Sequence, residues 1–268
     1  MYRQDPASKW EDFVMLARLR VPTLTCTIGV STAAVVLLAL AAPAQAATHR
    51  QIIRGPAIPR AGASSVTNSR FFAGYVATVP VGSATSVTAS FTVPRLSCPP
   101  PNLGTFAGAG EDVNRNLLFT GALVAIKCEF GKAVYFPALV INNVGTTYRT
   151  SPFAAGDVIN LSASVTTSAT TVQVTDVTKN LTKTLTGAGA RPRAALIGDL
   201  AGTSNAGILL GVPNFGKLKY LNCMINSQTL GSTNPQEVQR VNHSGVVQIA
   251  TGPFSPGPTT FATYYRHQ

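Results

Sequence analysis

Few side chains in this sequence suit acid–base or nucleophilic chemistry. After residue 46 there are only seven carboxylic acids, and they are widely spread: Glu111, Asp112, Glu129, Asp157, Asp176, Asp199 and Glu237. Hydrolysis by two carboxyl groups needs two of them to converge in one cleft. Glu111 and Asp112 are adjacent, so on a β-strand they point to opposite faces. Asp157 follows Gly156, a position typical of a turn cap. The sequence alone therefore does not place any two of these acids together.

The other residues that could carry chemistry also lack the necessary spacing. His49, His243 and His267 have no partner at a recognisable distance along the chain. The sequence GTSNAG (202–207) does not have the spacing of a serine nucleophile elbow, and a turn is the better interpretation. The cysteines form no CxxC motif and have no nearby histidine, which argues against a zinc site. We expect neither a metal nor a cofactor.

The elements that must position these residues are short β-strands. Only 12% of the 268 residues are charged, and β-branched residues and turn formers abound. In TSVTASFTVP (85–94), Val87, Ala89 and Phe91 alternate with polar residues, as in a half-buried strand. Further alternation and a hairpin turn are predicted within 157–186. Repeated turn signals without an amphipathic helix predict an all-β protein, an antiparallel sandwich of two packed sheets.

The first 46 residues have the layout of a signal for export. Basic residues precede the apolar segment VSTAAVVLLALAA (30–42), and an A-x-A arrangement of small residues ends at Ala46. We expect cleavage after Ala46 and a secreted or cell-surface location. The alternative is an uncleaved signal anchor, which would be the only contact with a membrane. Residues 47–69 are interpreted as a flexible lead-in, and 70–268 as one domain with a less regular C-terminal tail.

Export would place three cysteines in an oxidising compartment. Cys98 and Cys128 would then close a loop of about 30 residues, and such a bridge contributes roughly 3–4 kcal/mol of stability. Cys223 would remain single, and a buried apolar thiol is expected there.

Positive charge predominates after residue 46. The first 46 residues hold four of the 21 basic and three of the ten acidic residues, so 17 basic residues remain against seven acidic ones, a net charge of +10. The basic residues are scattered singly, which is typical of a solvated surface. We therefore expect no specific nucleic-acid binding. A charge-driven interaction with anionic polymers is one alternative function.

An ordered series of segments resembles a known peptidase family. FFAGYVAT and TSVTASFTVPRLSC are followed by LLFTG, AVYFPAL, SPFAAGDVINLSASV and VPNFGKLKYLNC, over roughly residues 68–225. In this order they resemble the glutamic peptidases, or eqolisins, also called peptidase family A4 or G1. The resemblance implies a concanavalin A-like β-sandwich. It also implies acid endopeptidase chemistry, in which a Glu activates water and a Gln orients it on the concave sheet.

The resemblance also indicates that both catalytic residues are replaced. The Gln place in LLFTG is occupied by Phe119, or by Gly121 if the count runs back from Cys128, and no Gln occurs between Gln51 and Gln173. The Glu place in AVYFPAL is occupied by Phe136 or a direct neighbour. A phenylalanine cannot accept a proton or hydrogen-bond an oxyanion.

Three hypotheses follow. The first is a secreted, catalytically inactive member of this family, most simply a monomer, that binds a peptide or a glycan on its concave face. Candidate binding residues are Phe106, Phe119, Tyr135 and Phe136, for which core packing is the alternative. The second is a divergent acid endopeptidase that uses Glu129 with Glu111 or Asp112. The third is the binder of anionic polymers.

Overall fold

The computed structural model describes residues 50–52, 66–99, 103–113, 118–202, 209–255 and 257–267, with only the backbone of 50–52. The segment 1–46, predicted to be an export signal, lies outside the described residues. The described elements are almost entirely strands, with one short 3-10 helix at Leu230–Thr233. The strands are β1 Arg50–Ile52, β2 Thr67–Ser69, β3 Phe72–Thr78, β4 Thr85–Thr92, β5 Leu103–Val113, β6 Leu118–Glu129, β7 Lys132–Ile141, β8 Val144–Thr147, β9 Val158–Val165, β10 Ala169–Asp176, β11 Leu181–Ala188, β12 Pro192–Ala201, β13 Lys217–Ile225, β14 Gln228–Thr229, β15 Gln236–Val241, β16 Val247–Thr251 and β17 Phe261–Tyr265.

The strands form two antiparallel layers. In the first sheet the order of neighbours is β15-β3-β12-β5-β6-β7-β8-β1. In the second sheet it is β11-β10-β9-β4-β13-β17. β16 pairs with both β15 and β17 and so joins the two layers at one edge. The antiparallel β-sandwich predicted from the sequence is confirmed.

Three tight hairpins set the register of the longest strands. The pairs Phe130–Gly131, Asn142–Asn143 and Asn226–Ser227 each have two successive residues with positive φ. They connect β6 to β7, β7 to β8 and β13 to β14 as two-residue loops. Two positive φ values are the mark of a type I′ turn, whose twist matches that of the flanking strands. Local sequence, rich in Asn and Gly, thus fixes which side chains face the interior.

Each face of the first sheet has its own apolar cluster. The larger cluster lies between the sheets and includes Tyr75, Phe91, Ile197 and Tyr220 from both layers. The second cluster draws only on the first sheet, so it occupies the face that points away from the second sheet. We call it the phenylalanine face, and its large members are Phe72, Phe106, Phe119, Leu123 and Phe136.

A disulfide and short strands near both ends of the described domain complete the fold. Cys98 and Cys128 form a disulfide with a Cα–Cα distance of 5.3 Å, as predicted, and Cys223 is a buried free thiol. The C-terminal tail, interpreted from the sequence as less regular, contains β15, β16 and β17, which close the edge of the sandwich. Their short lengths and the bulge between Arg240 and Val241 hide the alternation in the sequence. The lead-in also contributes β2, which pairs in parallel with β15.

Candidate functional site

Phe119 lies at the start of β6 on the phenylalanine face. Its backbone amide donates a 2.7 Å hydrogen bond to Oδ1 of Asn143, and its carbonyl accepts a 2.9 Å bond from the Asn143 amide. Its ring covers two glycines. A Cβ added at Gly110 or Gly121 would come within 2.7 or 2.5 Å of the ring. The missing side chains at these glycines create the space that the ring fills.

Phe136 lies on the neighbouring strand β7 but far from Phe119. It pairs with Ala125, which is six residues along β6 from Phe119. Six residues of extended chain span about 20 Å at roughly 3.3 Å per residue. Gly121, the alternative place of the Gln, pairs with Val140, which is four residues from Phe136. The distance between Gly121 and Phe136 along the strands is therefore about 13 Å. A base and an amide that share one water must lie within hydrogen-bond reach of it. The structure therefore does not bring these two places together.

The four candidate binding residues are packed into the protein. Phe106, Phe119 and Phe136 are each only 1% exposed. Tyr135 is also buried, but it belongs to the cluster between the sheets, because consecutive residues of β7 point to opposite faces. The expectation that Tyr135 shares a face with Phe136 was wrong. Core packing, the alternative considered for each residue, describes what these side chains do here.

Two cations lie over the aromatic rings at the far end of this face. Lys127 is largely buried, with Nζ 5.5 Å from the centroid of the Phe106 ring and 5.8 Å from that of Phe136. The Arg149 guanidinium lies 4.7 Å from the Phe136 ring. Such contacts stabilise cations, although burial still lowers the pKa of Lys127.

The acids proposed as substitute catalysts do not converge. Glu111 faces the other sheet and is fully buried, and burial raises its pKa to about 9. Asp112 points to the phenylalanine face, directly opposite Phe119, and burial raises its pKa to about 7 despite the opposing effect of Arg193. Glu129 is ten residues from Phe119 along β6, hence about 33 Å from Asp112 along the strand. A carboxylate pair in a glycosidase is separated by roughly 5–9 Å, for comparison.

Glu129 has a structural partner instead. Arg149 donates a 3.1 Å hydrogen bond from Nη1 to Oε2 of Glu129 and a second bond from Nη2 to Oε1. This two-pronged geometry engages both carboxylate oxygens. Glu129 therefore holds Arg149 in place above the Phe136 ring.

Two other aspartates lie near each other, and both organise turns. Asp157 accepts a 2.6 Å bond from the Ala154 amide, the predicted turn cap, and a 2.7 Å bond from Lys179. Asp176 accepts a 3.0 Å bond from the Lys179 amide. Among the residues described, no group of three His, Cys, Asp or Glu side chains is arranged to hold a metal. No described helix is long and apolar enough to cross a membrane.

Comparisons with known proteins agree with the fold. The model of the Peptidase A4 family matches residues 70–252. A structure of scytalido-glutamic peptidase with a transition state analog inhibitor is similar, with a TM-score of 0.58 and 14% identity, over 74% of this chain and 98% of that chain. Aspergilloglutamic peptidase from Aspergillus niger is similar with a TM-score of 0.51 and 16% identity, over 61% of this chain and 99% of that chain. No curated protein sequence matches.

Proposed function

Because the chain belongs to the Peptidase A4 family, we propose that it is an exported, catalytically inactive glutamic-peptidase-like protein that binds a peptide or a glycan. The observation that carries the proposal is the composition of the phenylalanine face. Its described carboxyl groups are Asp112 on β5, opposite the start of β6, and Glu129 at the end of β6, and Glu129 is ion-paired. The only described glutamine whose place in its strand directs it to this face is Gln236, two residues before Val238 on the edge strand β15.

The chemistry of the family requires a base and an orienting amide on one water. Replacing a Glu by an apolar residue removes the proton acceptor, and replacing the Gln removes a donor to the tetrahedral intermediate. On this face the residue directly opposite Asp112 is Phe119, whose side chain offers neither a hydrogen-bond donor nor an acceptor. The buried aromatic packing thus supports a protein that keeps the fold of the family but lacks its catalytic mechanism. This holds for any position of this face that corresponds to the catalytic Glu of the family.

A cleavage assay tests the proposal. Purified full-length protein, shown to be folded by near-UV circular dichroism, is incubated with an unfolded protein substrate from pH 3 to pH 7. Products are read by mass spectrometry. We expect no cleavage above that of the substrate alone. Defined cleavage that Asp112→Asn abolishes, while the matched variant Glu129→Gln retains it, would overturn the proposal and identify a new catalytic carboxylate.

A further inference from the structure

A cavity of about 390 Å³ lies at the end of β15, beside the phenylalanine face. Val238 of β15 belongs to the cluster on that face, and Arg240 is two residues further along the same strand. The strand leaves β3 here and pairs with β16. The polar lining includes Arg70, Arg240 and His243, while Leu209, Leu210 and Val241 provide an apolar wall.

Arg240 is a buried cation with unused hydrogen-bond donors. It is only 1% exposed, the largest side chain among the fully buried residues. A guanidinium carries five N–H donors. Nη2 of Arg240 donates to the Leu210 carbonyl at 2.9 Å, but Nε and Nη1 have no partner among the described residues. Burying such donors without acceptors is costly.

The described part of the chain provides no counter-ion in contact with this guanidinium. No carboxylate lies within salt-bridge distance of Arg240 in that part. The acid whose charge acts on it is Asp199, whose Oδ1 accepts a 3.2 Å bond from the Tyr220 hydroxyl. Oδ2 of Asp199 has no hydrogen-bond partner among the described residues, but it is not within salt-bridge distance of Arg240. Burial lowers the pKa of Arg240 to about 10, so the side chain is still charged at neutral pH.

The segment that anchors Arg240 also fixes the apolar wall. The Gly104 amide donates a 2.9 Å hydrogen bond to the Gly211 carbonyl and so ties the segment to the start of β5. The Leu210 side chain packs close to Gly104, where a Cβ would be 3.1 Å from its Cδ1. The cavity thus combines a fixed, partly unpaired guanidinium with a fixed apolar surface. A ligand that carries an oxyanion on a small apolar group would pair with the guanidinium and pack against the apolar wall.

We propose that this cavity binds the carboxylate of a small apolar organic acid through Arg240, with the C-terminal residue of a peptide as its source. The inference deepens the proposed ligand-binding function and rests on it. Arg recognises carboxylates with two parallel N–H···O bonds. Arg70 and His243 lie at the exposed rim, where they add positive charge or hydrogen bonds.

Calorimetric titration of the full-length protein tests the chemistry. The probes are N-acetyl-L-leucine, its neutral amide, and an acetylated tripeptide that ends in leucine. We expect the acid to bind at least about tenfold more tightly than the amide, since a charge-assisted bond is roughly twice as strong as a neutral one. If the tripeptide binds more tightly than acetyl-leucine, the natural ligand is the C-terminus of a peptide. If the two bind with equal affinity, the natural ligand is a free organic acid. Equal binding of acid and amide, or no binding of either, would overturn the proposal.

Variants locate the site. Arg240→Met has a similar length without the charge, and apolar replacement of a buried charge is often neutral or stabilising. We expect it to keep the melting temperature and lose acid binding at least about tenfold. Lys219→Met removes one positive charge from an exposed position of β13 and should bind the acid unchanged.

Unchanged binding by Arg240→Met contradicts the proposal. If that variant does not fold, Arg240→Lys decides, because it keeps the charge but loses the planar fork and should bind several-fold more weakly. Cleavage activity and carboxylate binding are measured separately, so either proposal can fail while the other stands.

Discussion

Glu111 provides a direct test of the packing between the two sheets. Its side chain is fully buried, and neither carboxylate oxygen has a hydrogen-bond partner among the described residues. Burial raises its pKa from 4.5 to about 9, so the carboxyl group is protonated in the folded protein at neutral pH. In the unfolded chain the same group is ionised above its ordinary pKa.

The sign of the stability effect follows from this difference in proton binding. Between about pH 4.5 and pH 9 the folded state binds the proton and the unfolded state does not, so the free energy of unfolding falls as the pH rises. One unit of pKa corresponds to about 1.4 kcal/mol, which gives a loss of about 3 kcal/mol at pH 7 and about 6 kcal/mol at pH 9. The full stability is present only below about pH 4.5.

The substitution Glu111→Gln isolates this contribution, because the amide has the same shape and does not titrate. We expect variant and wild type to have free energies of unfolding within about 1 kcal/mol at pH 4.5. The variant should be more stable by about 3 kcal/mol at pH 7. Urea denaturation of the full-length proteins at pH 4.5, 7 and 9 measures both. The control Glu129→Gln removes an exposed ion pair and should change stability by about 0–1 kcal/mol.

Parallel pH profiles for wild type and Glu111→Gln would refute the reasoning. They would mean that the carboxyl group is solvated or paired in the folded protein, and hence that the two sheets do not enclose it as the structure shows. The control gives a second way to refute it. If Glu129→Gln altered the pH dependence of the unfolding free energy as much as Glu111→Gln does, burial would not be the cause, because Glu129 is ion-paired at the end of β6 rather than enclosed.

Two further predictions concern the disulfide and the N-terminus. Replacing Cys98 and Cys128 together by serine should lower the free energy of unfolding by roughly 3–4 kcal/mol, since the two cysteines are 30 residues apart in the sequence. A reducing agent should have no further effect on the stability of that double variant. Equal stability of the variant and the oxidised wild type would contradict the bridge. Expression of the full chain in a secreting host should release protein whose N-terminus, read by mass spectrometry, is Ala47; recovery only as an intact membrane-bound chain would favour the anchor.

Much of the fold was predictable because local patterns and buried faces coincide. In β4 the alternation placed Val87, Ala89 and Phe91 inward, and all three are buried. The hairpin turn within 157–186 is confirmed by the bond from the Thr166 amide to the Ala169 carbonyl. Alternation fails where strands are short or bulged, as in β15, since two or three residues on one face carry no readable period.

The candidate site was less predictable, because it depends on pairing between strands that are distant in sequence. Phe119 and Phe136 lie on adjacent strands, yet the hairpin register offsets them by six residues. A linear motif cannot reveal that offset. Arg240 gave no signal either, since a single arginine in an irregular stretch is normally a surface residue. In the structure it is buried and bonded to the carbonyl of Leu210, 30 residues earlier in the chain, which no local pattern reveals.

The buried carboxyl groups show that greater stability of the fold at acid pH and acid peptidase activity are separate properties. Burial is the main cause of the raised pKa of Glu111, of Asp112 and of Asp199, with values of about 9, 7 and 7. Each therefore makes the folded state more stable at acid than at neutral pH. Glu111 and Asp199 point into the packing between the sheets, since they share strand faces with Ala109 and Ile197, and the charge that acts on Asp112 is that of Arg193. Stability that is greatest near pH 4 would thus follow from sheet packing alone and would not require catalysis. Acid stability is consequently no evidence of peptidase activity, and only product formation in the cleavage assay separates the two.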